Sequence, residues 1–261
     1  MPDIQYLDRG KDHPQIAYRF TSATQKHHTS PLIVFCGGFQ SDMNGSKASF
    51  LEAQCASLGL AYLRFDYSGH GASGGEFVDG TISSWTQDTL DIIDNNSTRH
   101  NSEAGYIIVG SSMGGWIGLL IAQKRKGNLK GFVGIAAAPD FTDEIYNNRL
   151  DGEQRITLHE TGQVEMESDY DAPYIVTERL VNDGRQNFLM PFHNAPPYVT
   201  DIPIRLLQGK KDAAVPWTHA LAIQDMMPHS DVNVTLIDDG DHSLSRPEDL
   251  DILWNEILQL L

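Results

Sequence analysis

Basic residues are scarce in this chain. Its 261 residues hold 19 lysines and arginines against 35 aspartates and glutamates, a formal net charge of −16. Such a surface repels nucleic acid and anionic lipid, so nucleic acid is not expected as a partner. Cysteine is scarcer still, at two. Cys36 falls in a predicted strand and Cys55 in a predicted helix. That placement fits small core residues and suggests neither a disulfide framework nor a metal site. His27 and His28 are adjacent, but nothing near them completes a ligand set, and the stretch reads as a solvated loop. No apolar run is long enough to span a bilayer, so stable membrane insertion is not expected. Met1 to Gln5 shows neither a basic segment nor an apolar one, so no signal peptide is expected and the default setting is cytoplasmic.

What is present is a chain with 40% hydrophobic residues, long enough for one domain with an insertion. Short apolar runs alternate with helical patterns. Pro31 to Cys36, Leu60 to Asp66, Tyr106 to Ser111, Gly131 to Ala137, Ile202 to Gln208 and Val232 to Ile237 read as strands. Helices are expected from near Ser46 to Leu58, Ser84 to Ile93, after Ser112, around Thr218 to Met227, and from Pro247 onward. An opening hairpin of Ile4 to Leu7 with Gln15 to Thr21 precedes them. Strands alternating with helices predict an α/β fold: a doubly wound, mostly parallel sheet.

The beat stops between residues 141 and 201. That segment is acidic and rich in aromatics, and Ile175, Val176, Leu180 and Val181 carry a helical spacing. It is too long for a plain connection. The expected organisation is a core of residues 1–140 and 202–261 with a small inserted cap at 141–201. Phe188, Phe192 and Tyr198 are candidates to enclose an apolar group there.

The most informative stretch is Tyr106-Ile107-Ile108-Val109-Gly110-Ser111-Ser112-Met113-Gly114-Gly115-Trp116. A strand runs into Gly-x-Ser-x-Gly and a helix follows at once. The glycines leave room for a strained turn that lifts the Ser112 hydroxyl above the sheet edge. A serine hydroxyl is a weak nucleophile and needs a base, which an imidazole supplies when a carboxylate fixes its tautomer. His242, in Asp238-Asp239-Gly240-Asp241-His242-Ser243, and Asp212, in Gly209-Lys210-Lys211-Asp212, follow two later strands. Carboxyl ends of parallel strands share one sheet edge, so these three side chains can converge. Asp140, after the preceding strand, is the alternative acid, and His70 is read as a residue of a glycine-dense loop. Gly37-Gly38-Phe39 ends another strand. The amides of Phe39 and Met113 are the candidate oxyanion donors, with an ordinary glycine turn as the alternative for the first.

Taken jointly, these stretches resemble the α/β-hydrolase superfamily over nearly the full chain. The likeness is carried by Phe35 to Phe39, Arg64 to Gly71, Gly110 to Gly115 and Gly209 to Pro216. Gly37-Gly38 stands where that family usually has His-Gly. A narrower resemblance to mammalian mitochondrial acyl-glucuronide esterases and palmitoyl-protein thioesterases lies in Met43 to Ala48, Val109 to Trp116, Pro203 to Leu207 and Val215 to Trp217. It implies cleavage of carboxylic esters or acyl thioesters, of small molecules or acylated proteins, without a cofactor or metal. A binding or receptor protein of the same fold, a peptidase and a carbon–carbon bond hydrolase remain open, since fold alone does not fix function. An epoxide or halide hydrolase is disfavoured, because a carboxylate would stand in place of Ser112.

Overall fold

The computed structural model describes residues 2–125, 127–167, 173–190, 198, 200–228 and 230–261. Its centre is an eight-stranded sheet. β1 (Gln5–Leu7) and β2 (Ile16–Thr21) form the antiparallel opening hairpin, and β2 pairs antiparallel with β4 (Tyr62–Phe65). All remaining pairings are parallel: β3 (Leu32–Cys36), β5 (Tyr106–Ser111), β6 (Leu129–Ile135), β9 (Ile204–Gly209) and β10 (Val232–Ile237) complete the order β1-β2-β4-β3-β5-β6-β9-β10.

Alternation along the strands divides the interior in two. Leu32, Val34 and Cys36 of β3 face one side with Trp85 of α2 (Ile82–Ser97), Trp116 of α3 (Met113–Lys124) and Ile223 of α7 (Thr218–Asp225). Ile33 and Phe35 face the other with Leu51 and Cys55 of α1 (Ser46–Leu58) and Leu253 and Ile257 of α8 (Pro247–Leu258). Both cysteines are buried thiols, as expected. Two-sided burial explains why the central strands β3 and β5 read as apolar runs. Local signals end the helices: Gly59 closes α1 at φ 74°, a conformation open to glycine, and Pro247 opens α8.

The chain runs from β3 to β4 on one side and then crosses to β5 on the other. Connections therefore diverge between β3 and β5, leaving a crevice at their carboxyl ends. Phe39 follows one of these strands and Ser112 the other.

Between β6 and β9 lie α4 (Phe141–Glu144), a π-helical turn (Ile145–Arg149), α5 (Gly152–Thr161), β7 (Gln163–Met166), β8 (Tyr174–Thr177) and α6 (Glu178–Gln186). Ile175 and Val176, expected on a helix, lie instead in β8, which pairs antiparallel with β7. Leu180 and Val181 do lie on a helix, α6. The segment has an apolar cluster of its own, made of Ile145, Leu150, Leu158, Val164, Met166, Val176 and Val181. Among the described residues, no helix is long and apolar enough to cross a membrane.

Candidate active site

Ser112 occupies the turn between β5 and α3 with φ 53° and ψ −114°. A non-glycine residue at positive φ costs free energy and persists only where its surroundings enforce it. Here they do. The Ser112 amide donates to the Ile135 carbonyl at 2.9 Å, and its own carbonyl accepts from the Gly115 amide at 2.9 Å. Glycine is required on both sides: a Cβ on Gly110 would come within 2.3 Å of the Gly114 carbonyl oxygen, and one on Gly114 within 2.2 Å of that of Cys36. The turn thus presses the end of β3 against the start of α3. A Cβ on Gly38 would meet the Cβ of Ser112 at 3.5 Å.

Residues from three strand ends meet here. His242 Nε2 lies 3.2 Å from Ser112 Oγ, and His242 Nδ1 lies 2.8 Å from Asp212 Oδ2. Asp212 is buried at the end of β9, and four donors surround its carboxylate. Oδ2 accepts from His242 and from Gln208 Nε2 at 2.8 Å, while Oδ1 accepts from the amides of Ala214 and Val215, each at 2.8 Å. Burial pushes this carboxyl up. The hydrogen bond and charge of His242 and the two amides outweigh it, so Asp212 ends below its ordinary range. A carboxylate held ionised against Nδ1 makes that nitrogen the donor and leaves Nε2 to accept a proton from the serine.

The amides of Phe39 and Met113 have no hydrogen-bond partner among the described residues. The Phe39 side chain packs edge-on to Phe77 and Trp85 and tilted against Phe141 and Tyr174, with centroids 5.1 to 6.1 Å apart.

Two cavities open on Ser112. One, of about 340 Å³, is lined by Phe39, Phe141, Ile145, Tyr174 and Val215, with charged groups from Glu144, Arg149, Lys211 and Asp241. The other, of about 650 Å³, runs along the loop after β3 past Ser41, Lys47 and His70. The aromatic walls are therefore not the ones expected. Tyr198 is buried in the main core with its hydroxyl donating to the Leu119 carbonyl at 2.6 Å. Phe188 lines neither cavity, and Phe192 lies outside the described residues. Phe39, Phe141 and Tyr174 stand in their place.

The two alternatives weighed in the sequence sit elsewhere. The Asp140 carboxylate accepts from the Leu189 amide at 2.9 Å and the Met190 amide at 2.9 Å, so it ties the start of the inserted segment to residues near its end. His70 is buried among Tyr67, Phe77 and Trp85, with Nδ1 donating to the Ser68 carbonyl at 3.2 Å. Burial pushes its imidazole down to about 4. Gln208 was not anticipated. A buried amide at the end of β9, four residues ahead of Asp212, is the signal that could have marked it.

A family model described as serine aminopeptidase, S33, matches residues 27–184. The Homo sapiens palmitoyl-protein thioesterase ABHD10, mitochondrial, is 34% identical over 260 residues, covering 99% of this chain and 80% of the relative. The chain belongs to the serine aminopeptidase S33 family. Two solved structures agree. A candidate hydrolase from Agrobacterium vitis S4 is 40% identical with a TM-score of 0.89, over 100% of this chain and 98% of its own. Alpha/beta hydrolase domain-containing protein 10 from mouse is 31% identical with a TM-score of 0.84, over 99% and 98%. The protein is an enzyme of the hydrolase class with the α/β-hydrolase fold. The cytoplasmic expectation is corrected by the same comparison, since the curated relatives are named as mitochondrial proteins.

Proposed function

We propose that the protein is a serine hydrolase cleaving carboxylic esters or acyl thioesters through an acyl-enzyme. Ser112 is the nucleophile. Its Oγ bonds to the acyl carbonyl carbon as His242 Nε2 takes its proton, with Asp212 holding the imidazole and stabilising its charge. The amides of Phe39 and Met113 donate to the oxyanion, an interaction typically worth about 3 kcal/mol per donor in the transition state. The imidazolium then protonates the leaving alkoxide or thiolate. Water, deprotonated by His242, releases the acid and restores Ser112. Residues 141–201 act as a cap, with Phe141 and Tyr174 offering apolar surface to the substrate and limiting access of water to the acyl-enzyme.

The observation that carries this reading is the hydrogen-bonded line from Asp212 through His242 to Ser112. The likeness to the human palmitoyl-protein thioesterase supports the thioester arm in particular. The experiment is covalent labelling with a fluorophosphonate probe, followed by turnover on matched aryl esters, acyl thioesters and aminoacyl anilides. Ser112→Ala should abolish labelling and lower turnover on the order of a thousandfold to a millionfold. Labelling that survives in Ser112→Ala and vanishes in Ser111→Ala would refute the nucleophile. Fastest turnover on the anilides would replace the esterase reading by a peptidase one.

A further inference from the structure

Lys47 lies in the first turn of α1, directly beyond the loop that carries Phe39, and it lines the larger cavity. Its side chain is spent on neutral oxygens. Nζ donates to the Ser243 carbonyl at 2.5 Å and reaches Ser245 Oγ at 3.4 Å. A lysine kept for solubility would extend into water; this one is tied to the peptide that follows His242.

That peptide belongs to a tightly folded loop whose start rests on the end of β9, where the Lys211 amide donates to the Gly240 carbonyl at 2.9 Å. Asp241 Oδ1 accepts from the Ser243 amide at 2.9 Å, the Ser243 hydroxyl at 2.8 Å and the Leu244 amide at 3.0 Å. Leu244 sits at φ 41°, where a leucine is seldom found. Asp241 therefore holds the loop from within. Lys47 is a tether from outside on the far side of His242, and it comes from the segment bearing the other half of the proposed machinery.

We infer that Lys47 is a positioning residue for the reaction proposed above: its ammonium fixes the Ser243 carbonyl and thereby the His242 imidazole against Ser112, locking that loop to the segment that presents the Phe39 amide. The inference rests on the Ser112–His242 chemistry of the preceding section. Misplacing a reacting group by about 1 Å can cost on the order of a hundredfold, and the 3.2 Å approach of Nε2 to Oγ leaves little slack.

The tether is sensitive to pH. Burial pushes the Lys47 ammonium down to about 8, partly offset by Asp241 on the loop and Asp249 on α8. Arg246 shares Asp249, bonding to it at 2.8 Å, and also bonds to Asp239 at 2.6 Å. Asp238, paired with Lys210 at 2.7 Å, and His242 are the remaining titratable groups on the loop. A charge-assisted hydrogen bond is roughly twice as strong as a neutral one. As pH rises through about 8 the tether thus weakens without disappearing.

The test is the pH profile of kcat and KM for p-nitrophenyl butyrate hydrolysis by the full chain. It compares wild type, Lys47→Arg, Lys47→Met and a Ser112→Ala control, with folding checked by circular dichroism. Lys47→Met should lose about tenfold to a hundredfold in kcat with KM within about twofold. Wild type should lose about threefold in kcat across the alkaline range. Lys47→Arg, whose guanidinium stays charged, should show no such fall, and Lys47→Met should lie low and flat. A wild-type profile that stays level, or the same alkaline fall in all three, overturns the assignment. Should Lys47→Met fail to fold, the wild-type and Lys47→Arg profiles decide alone. Wild-type turnover in Ser112→Ala would instead bring down the serine chemistry, and the positioning role with it.

Discussion

Two strand ends of the sheet, those of β9 and β6, are each followed by a buried aspartate, yet the two carboxylates do opposite things. Asp212, after β9, spends one oxygen on the Ala214 and Val215 amides and offers the other to His242. Asp140, after β6, turns to the Leu189 and Met190 amides and belts the insert. Both are buried, at 9% and 3% exposure. The difference lies in what stands opposite. β9 neighbours β10, whose following loop brings in His242, whereas the chain after β6 leaves the sheet altogether. A strand-end carboxylate acquires its role from the next strand in space.

The largest effect that can break this contrast is the exchange of each acid for its amide. Asp212→Asn should lower kcat by roughly four orders of magnitude, because Nδ1 would no longer be held as the donor. Asp140→Asn should cost about 1 to 3 kcal/mol of stability through one poorly paired buried amide, with kcat for a small aryl ester nearly unchanged. Chemical denaturation beside steady-state kinetics reads both. A reversal, with Asp140→Asn inactive and Asp212→Asn active, would move the acid to the earlier strand.

The second effect tests how far the two regions are independent. Leu158 is 1% exposed within the insert's own apolar cluster, which also includes the cavity-lining Ile145. Leu158→Ala should destabilise by about 2 to 5 kcal/mol, with the loss confined to the insert in hydrogen exchange. Aryl acetates should be turned over at close to the wild-type rate. Longer aryl esters, which need the wall of Phe141 and Tyr174, should lose about tenfold in kcat/KM. Equal losses on both would show that the strand-end loops lean on the insert.

The same division governs what could be read from the sequence. The strands ending at Cys36, Ser111 and Gly209, and the helix from Ser46 to Leu58, are set by local rules: apolar runs buried on both faces, and a left-handed glycine at residue 59. Ser112 and Asp212 were legible as candidates because each follows such a strand, and His242 because it follows the alternating edge strand β10, so topology gathers them at one edge. The insert obeys no such rule. Ile175 and Val176 carry a helical spacing, but pairing with Val164 and Glu165 makes them a strand. Tyr198 looks like a pocket aromatic until its hydroxyl finds the Leu119 carbonyl in the core. Asp140 and Lys47 depend on partners far along the chain, at Leu189 and Ser243, which no local pattern reveals.

The smallest effect concerns charge at the two scales. Around the smaller cavity the signs balance, with Glu144 and Asp241 facing Arg149 and Lys211. The molecule as a whole carries −16. A local quartet of mixed sign steers weakly, so the long-range field should decide how a polyanionic substrate approaches. Acyl-CoA should therefore be a poorer substrate than a small, uncharged thioester with the same short or medium acyl chain. Exposed charges are screened beyond a Debye length of about 10 Å at moderate salt, so the disadvantage should shrink as ionic strength rises. The expected change in the kcat/KM ratio between low and high salt is about threefold to tenfold, in favour of acyl-CoA at high salt. A neutral ester measured in parallel should hold steady, which separates steering from any salt effect on the enzyme. If acyl-CoA is instead the better substrate at low salt and loses ground as salt is added, Arg149 and Lys211 outweigh the acidic surface at the mouth of the site.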